Sequence, residues 1–144
     1  MAGDTAPAYG ALSLVGDSID FAELRGRALL VNVWATWCGP CRAEMPELQE
    51  LHEQYGDDLS VIGVSIDQAG DQDLIEGFLE DVGIDFTILL DPEGRVTRRF
   101  TTIGVPETFL IDAEGIVRKR WVGRFMPHAP ANLSVIEGAL QSDS

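Results

Sequence analysis

The chain is poor in several things, and each shortage removes a class of function. Among 144 residues there are only two cysteines and two histidines, and 24 acids face 10 bases for a net charge of -14. Lys119 is the one lysine. Nucleic-acid binding rests largely on neutralising phosphates with Lys and Arg, and the dense basic run here is only Arg118-Lys119-Arg120, so no nucleic-acid partner is expected. No two glycines are spaced as Gly-x-Gly, so the dinucleotide fingerprint is missing, and so is a P-loop. The longest mainly apolar run, residues 28–38, is interrupted by Asn32 and Thr36 and falls far short of the ~20 residues that span a bilayer. The first residues, Met1-Ala-Gly-Asp-Thr-Ala-Pro-Ala, carry no basic start and no apolar h-region. Both a cytoplasmic location and the loss of an export signal remain open on that ground.

What is present is the composition of one soluble domain, 45% apolar and 24% charged. The domain is expected over residues 9–140, with loose ends at 1–8 and 141–144. Apolar, β-branched runs at 28–34, 61–66, 86–90, 108–111 and 116–122 read as strands, the last two joined by the hairpin signal Asp112-Ala-Glu-Gly115. A further hairpin at 11–21 precedes a short helical turn near 21–24. Leu74, Ile75, Phe78, Leu79 and Val82 form a helical stripe with Asp71 placed to cap it, and Leu133, Ile136 and Leu140 form another. Strands alternating with helices imply an α/β fold with a mixed sheet covered on both faces.

Cys38 and Cys41 carry the chemistry. A pair two residues apart is no disulfide framework, and its bond contributes only about 2 kcal/mol by loop entropy. It stands where a buried strand ends and a helix begins, where free backbone N–H groups and the helix dipole favour a thiolate. Pro40 suits the first helical turn, and Gly39 lets a partner chain approach. The spacing predicts that Cys38 attacks a partner disulfide and that Cys41 then releases the reduced partner. On the helix that follows, Cys41, Met45, Leu48, Leu51, His52 and Tyr55 share one face at about 100° per residue. Glu44 falls inside that stripe, one turn from Cys41, while Glu47, Glu50 and Glu53 point to water and Pro46 threatens to blur the phase. Glu44 is either a boundary residue reaching outward or a partly buried acid with a raised pKa that exchanges protons with Cys41.

Metal chemistry finds little support. His52 lies about 16 Å along the helix from Cys41, too far to share a metal, and His128 reads as a surface residue. Asp67, Asp71 and Asp73 suggest a calcium loop, but Gln72 replaces its glycine and Phe78 its closing acid. No metal and no cofactor are expected.

Trp37-Cys-Gly-Pro-Cys41 after a buried strand resembles the thioredoxin active site. The wider stretch from Leu30 to Pro46, with Gly104-Val-Pro-Glu-Thr-Phe-Leu-Ile-Asp112, resembles the extracytoplasmic, TlpA/ResA-like branch of that superfamily, and the likeness runs from about Ala11 to Leu140. The resemblance implies a thioredoxin fold with an N-terminal β-hairpin and an inserted helix–strand at about 67–90. It implies a cis-proline at Pro106, substrate pairing along the Val105 backbone, and a groove bordered by Gly123 and Trp37. It further implies a protein-disulfide reductant outside the cytoplasm, tethered to the membrane, serving cytochrome c maturation or a similar task. Its partners would be protein thiols or disulfides and an upstream electron donor, and the chain would act as a monomer. Asn32 stands where thioredoxin keeps a buried aspartate, and Gly63 where it keeps a lysine, so that proton relay cannot operate unchanged. Glu44 matches an acid of the branch. A copper-chaperone module using the same cysteines, with His128 as third ligand, is the competing class. A peroxidase of the related peroxiredoxin class fails, because its Pro-x-x-x-Thr-x-x-Cys pattern has Ala35 and Cys38 at the threonine positions.

Overall fold

The structure is a computed structural model, and it describes residues 2–141. Strands β1 (Gly10–Ser13), β2 (Ser18–Asp20), β3 (Ala28–Trp34), β4 (Leu59–Ser65), β5 (Thr87–Leu90), β6 (Glu107–Ile111) and β7 (Val117–Val122) form one sheet in the order β2-β1-β5-β4-β3-β6-β7. Helices α1 (Gly39–Tyr55), α2 (Gln72–Val82), α3 (Arg95–Phe100) and α4 (Pro130–Gln141) complete it. β3 pairs in parallel with β4, and β4 with β5, while β3–β6, β6–β7, β5–β1 and β1–β2 are antiparallel. This is the mixed, helix-covered thioredoxin architecture expected from the sequence. The hairpin β1–β2 docks on β5, so the two additions to the basic fold lie side by side.

All seven residues of β3 are buried, as a continuous β-branched run predicts for a central strand. The pleat divides them. Leu30 and Trp34 join Met45, Leu48, Leu51, Phe125 and Ile136 on one face; Leu29, Val31 and Val33 join Phe100 and Phe109 on the other. Each such buried Leu or Val stabilises the fold by roughly 1.5–3 kcal/mol relative to exposure. Asn32 therefore points to the first face, at α1.

Helix α1 runs through Pro46 without losing phase: Cys41, Glu44, Met45, Leu48 and Leu51 are all buried. Three expectations need correction. Leu74 is 61% exposed, because the face α2 packs is set by Ile75, Phe78 and Leu79, and Leu74 is turned past its edge. Asp71 makes no capping hydrogen bond; its ψ of 13° is not the extended conformation that aims a cap side chain at the helix. Of the segment expected to be loose over 1–8, residues 3–6 are clasped instead: Gly3 N–H donates to Val117 O, Val117 N–H to Asp4 O, and Ala6 N–H to Gly115 O. That clasp covers the start of β7, an edge whose backbone would otherwise lack partners. At the other end α4 extends to Gln141; Met1 and residues 142–144 lie outside the described residues.

Candidate active site

The site forms where three loops meet at one end of the central strands. The first leaves β3. Cys38 N–H donates to Ala35 O at 3.2 Å, closing a turn that turns Trp37 outward, 67% exposed, and brings Cys38 to the N-cap of α1. Cys38 and Cys41 form a disulfide with Cα atoms 5.2 Å apart. Cys41 N–H points at Cys38 Sγ from 3.2 Å, so a helix-terminal donor already faces the sulfur that would carry charge. Cys41 is fully buried, Cys38 nearly so, and Gly39 and Pro40 are exposed beside them.

The second loop leads into β6. Val33 pairs with Glu107, and one more step of that antiparallel register sets Pro106 against Trp34, four residues before Cys38. The Val105–Pro106 peptide bond is cis. Pro106 is buried, and half-buried Val105 packs on the apolar cluster that contains both cysteines. The third loop follows β7. Gly123 takes φ 85°, a conformation open to glycine, and its N–H donates to Pro106 O at 2.9 Å, fastening the second loop to the third. Trp37, Gly39 and Pro40 thus stand beside the disulfide in sequence, Val105 shares the apolar cluster of the two cysteines, and Gly123 is tied to Pro106.

Glu44 is wholly buried. Its Oε1 accepts from Asn32 Nδ2 at 2.8 Å and from Thr108 Oγ1 at 3.5 Å; its Oε2 accepts from Phe125 N–H at 2.8 Å. Burial pushes its pKa up to about 7, against the lowering pull of the Phe125 hydrogen bond, the Arg124 charge, Thr108 and Asn32. Asn32 sits in register with Gly63 on one side and Thr108 on the other. At Gly63 a Cβ would stand 3.0 Å from Trp34 Nε1, so the indole occupies the space a side chain there would need.

Sequence reasoning missed Glu107. It is fully buried; its Oε2 accepts from the N–H groups of Ile103 (2.6 Å) and Gly104 (3.2 Å), and its Oε1 from Arg120 at 2.7 and 3.0 Å. Arg120 also donates to Thr101 O at 3.1 Å. Glu107 thereby ties down the segment before the cis-proline. The available signal was an acid at the start of a strand whose last three residues are apolar, with a basic residue at the facing end of the hairpin. Glu47, expected in water, is half-buried and pairs with Arg124 at 2.5 Å. His52 Nε2 lies 3.2 Å from Asp85, while its Nδ1 has no partner, and His128 is exposed. Among the described residues no three His, Cys, Asp or Glu side chains are placed to share a metal ion, and no helix is long and apolar enough to cross a membrane.

Comparison with known proteins agrees with this geometry. The profile of the AhpC/TSA family matches residues 2–120. The chain is 34% identical over 93 residues to the thioredoxin-like protein YneN of Bacillus subtilis, covering 64% of this chain and 55% of that protein. It is 32% identical over 100 residues to the thiol-disulfide oxidoreductase ResA of Oceanobacillus iheyensis, covering 65% and 50%. It therefore spans about half the length of these curated relatives. A crystal structure of a protein assigned as thiol:disulfide interchange protein DsbE from Chlorobium tepidum superposes with a TM-score of 0.87 at 31% identity, covering 97% of this chain and 98% of that one.

Proposed function

The chain belongs to the AhpC/TSA family, among its thioredoxin-like members, and on that premise we propose that it is a thiol–disulfide oxidoreductase whose Cys38–Cys41 pair reduces disulfides in protein partners. The observation that carries this reading is a redox-capable pair at a helix N-terminus with a buried acid one turn along the same helix.

In the reduced enzyme, Cys38 loses its proton and its thiolate attacks one sulfur of a partner disulfide. A mixed disulfide forms and one partner thiolate leaves, taking up a proton. Cys41 then gives its proton to the Glu44 carboxylate and attacks Cys38 Sγ. The Cys38–Cys41 disulfide forms, the second partner thiolate leaves, and it takes the remaining proton. Two electrons and two protons pass to the partner. Val105 offers its backbone to an extended partner segment, with Pro106, Gly123 and Trp37 shaping the groove. Asn32 and Thr108 hold the Glu44 carboxylate without competing for its proton.

One domain over residues 9–140 does this work as a monomer outside the cytoplasm, recharged by an upstream electron donor, in cytochrome c maturation or similar assembly. Likeness to the extracytoplasmic branch supports that setting. A peroxidase reading lacks its motif: Val31 and Ala35 stand at the Pro and Thr positions before Cys38, Trp34 and Cys38 before Cys41. The test is a redox titration in dithiothreitol and glutathione buffers, with alkylated thiols counted by mass. A single two-electron transition at a strongly reducing poise supports the reading. A transition at an oxidising poise reverses its direction, and thiols masked until metal is chelated would replace it with copper binding.

A further inference from the structure

The turn that presents Trp37 and Cys38 is held from behind. Asp67 follows the end of β4 and is 3% exposed. Its carboxylate accepts from Thr36 N–H at 3.2 and 3.1 Å, from Thr36 Oγ1 at 2.6 Å and from Ser65 Oγ at 2.6 Å. The remaining polar atom of Thr36, its carbonyl oxygen, accepts from Arg42 at 3.3 Å. Every polar atom of Thr36 is thus engaged, and Thr36 is the second residue of the turn that Cys38 N–H closes on Ala35 O. The Arg42 guanidinium lies over the Phe78 ring, 4.8 Å from its centroid, and Phe78 packs on Trp34 at 5.5 Å. Asp67 and Phe78 both belong to the inserted segment at 67–90, which therefore reaches the active-site turn by two routes.

A buried carboxylate is costly unless its acceptor sites are filled, and here they are filled mainly by the residue two before the nucleophile. We propose that Asp67 is a positioning residue for Cys38: by fixing Thr36 it sets the Trp37–Cys38 peptide against the N-terminus of α1, and with it the stability of the Cys38 thiolate and the poise of the pair. The inference rests on the proposed function, since it takes Cys38 as the attacking thiol. In this arrangement Cys41 N–H faces Cys38 Sγ from 3.2 Å, and a turn free to relax would turn the sulfur off that donor.

The sign of the effect separates geometry from charge. Removing a negative charge near Cys38 would by itself favour the thiolate and lower its pKa. Releasing the turn raises that pKa and favours the disulfide. The experiment compares reduced wild type, Thr36→Val, Asp67→Asn and Asp67→Ala by ultraviolet thiolate titration, by the equilibrium constant with glutathione, and by Tm of the oxidised form. Thr36→Val changes no charge and removes one hydrogen bond, so it keeps the test open if an Asp67 variant fails to fold. The expected result is a smaller thiolate fraction at neutral pH, falling roughly threefold in Thr36→Val and tenfold in Asp67→Ala, with the glutathione equilibrium moving toward the disulfide in the same order. A lower Tm with unchanged titration and equilibrium would make Asp67 merely structural. A thiolate fraction that rises in the Asp67 variants while Thr36→Val is unchanged would make it a charge effect. Either overturns the proposal. Failure of the proposed function itself looks different: wild type would show no exchange with glutathione, or Cys38→Ser would keep it.

Discussion

The side-chain amide of Asn32 donates to Oε1 of Glu44 at 2.8 Å, across the contact between the central strand and helix α1. An amide holds a carboxyl group in place and has no proton of its own to trade at ordinary pH. The acid is thereby fixed in the core with its pKa free to respond to burial, which dominates.

This makes stability depend on pH in a definite sense. The pKa of Glu44 is raised from 4.5 to about 7 in the folded protein, so the native state keeps a proton that the unfolded chain gives up. The resulting stabilisation is full below pH 4.5 and is lost as pH rises to about 7. The span corresponds to roughly 3 kcal/mol. Urea unfolding of the oxidised protein on both sides of that window measures it, and Glu44→Gln should remove that part of the slope.

The proposed mechanism ties the same group to an activity profile. With Glu44 as acceptor of the Cys41 proton, Glu44→Gln should slow resolution of the mixed disulfide by about 100-fold and erase the inflection near pH 7. Stopped-flow measurement of partner-thiol release checks both. A profile identical to wild type would remove Glu44 from the chemistry and leave it a structural acid.

Asn32→Asp would set a second carboxyl beside the first. Two like charges at hydrogen-bond distance cannot both ionise cheaply, so the pair should titrate in two separated steps, the upper one above that of Glu44 alone. The variant should lose more stability than wild type between mildly acidic and mildly alkaline pH. Unfolding curves across that range decide it, and an unchanged slope would show that the two groups are not coupled.

Glu107 holds the approach to the cis-proline. Glu107→Ala takes from the half-buried Arg120 guanidinium its carboxylate partner, leaving it the Thr101 carbonyl, and takes their acceptor from the N–H groups of Ile103 and Gly104. The expected cost is about 3–5 kcal/mol in urea unfolding. Adding Arg120→Met should recover part of it, because the uncompensated charge is then gone. Strict additivity of the two would contradict the pairing.

Much of this was legible in the sequence where one local rule decided the outcome. The apolar run 28–34 became β3 with the expected boundaries, and the helical phase after Cys38 put Glu44 inside, because periodicity depends only on neighbours. The Cys38–Cys41 disulfide could be read from its spacing and from its place at a strand end. Partners across strands could not. That Thr108 and Phe125 N–H meet Glu44, and that Glu107 meets Arg120, follows from the register of β3 with β6 and of β6 with β7, which no single segment encodes. Nothing local in the sequence reveals that β4 ends beside the turn leaving β3, so the tie of Asp67 to Thr36 has no signal there. The clasp at residues 3–6 escaped for the same reason: it depends on a hairpin more than a hundred residues away.

The central claim is that Cys38 attacks and Cys41 resolves. Its most direct test is intact-mass analysis of the reduced single-cysteine variants after mixing with a peptide disulfide. Cys41→Ser should accumulate a stoichiometric mixed disulfide through Cys38, stable until a thiol is added, while Cys38→Ser should accumulate little or none, because Cys41 has no exposed surface where Cys38 keeps 6% and stands at the helix N-cap. Equal trapping by both variants, or trapping by Cys38→Ser alone, would contradict the account.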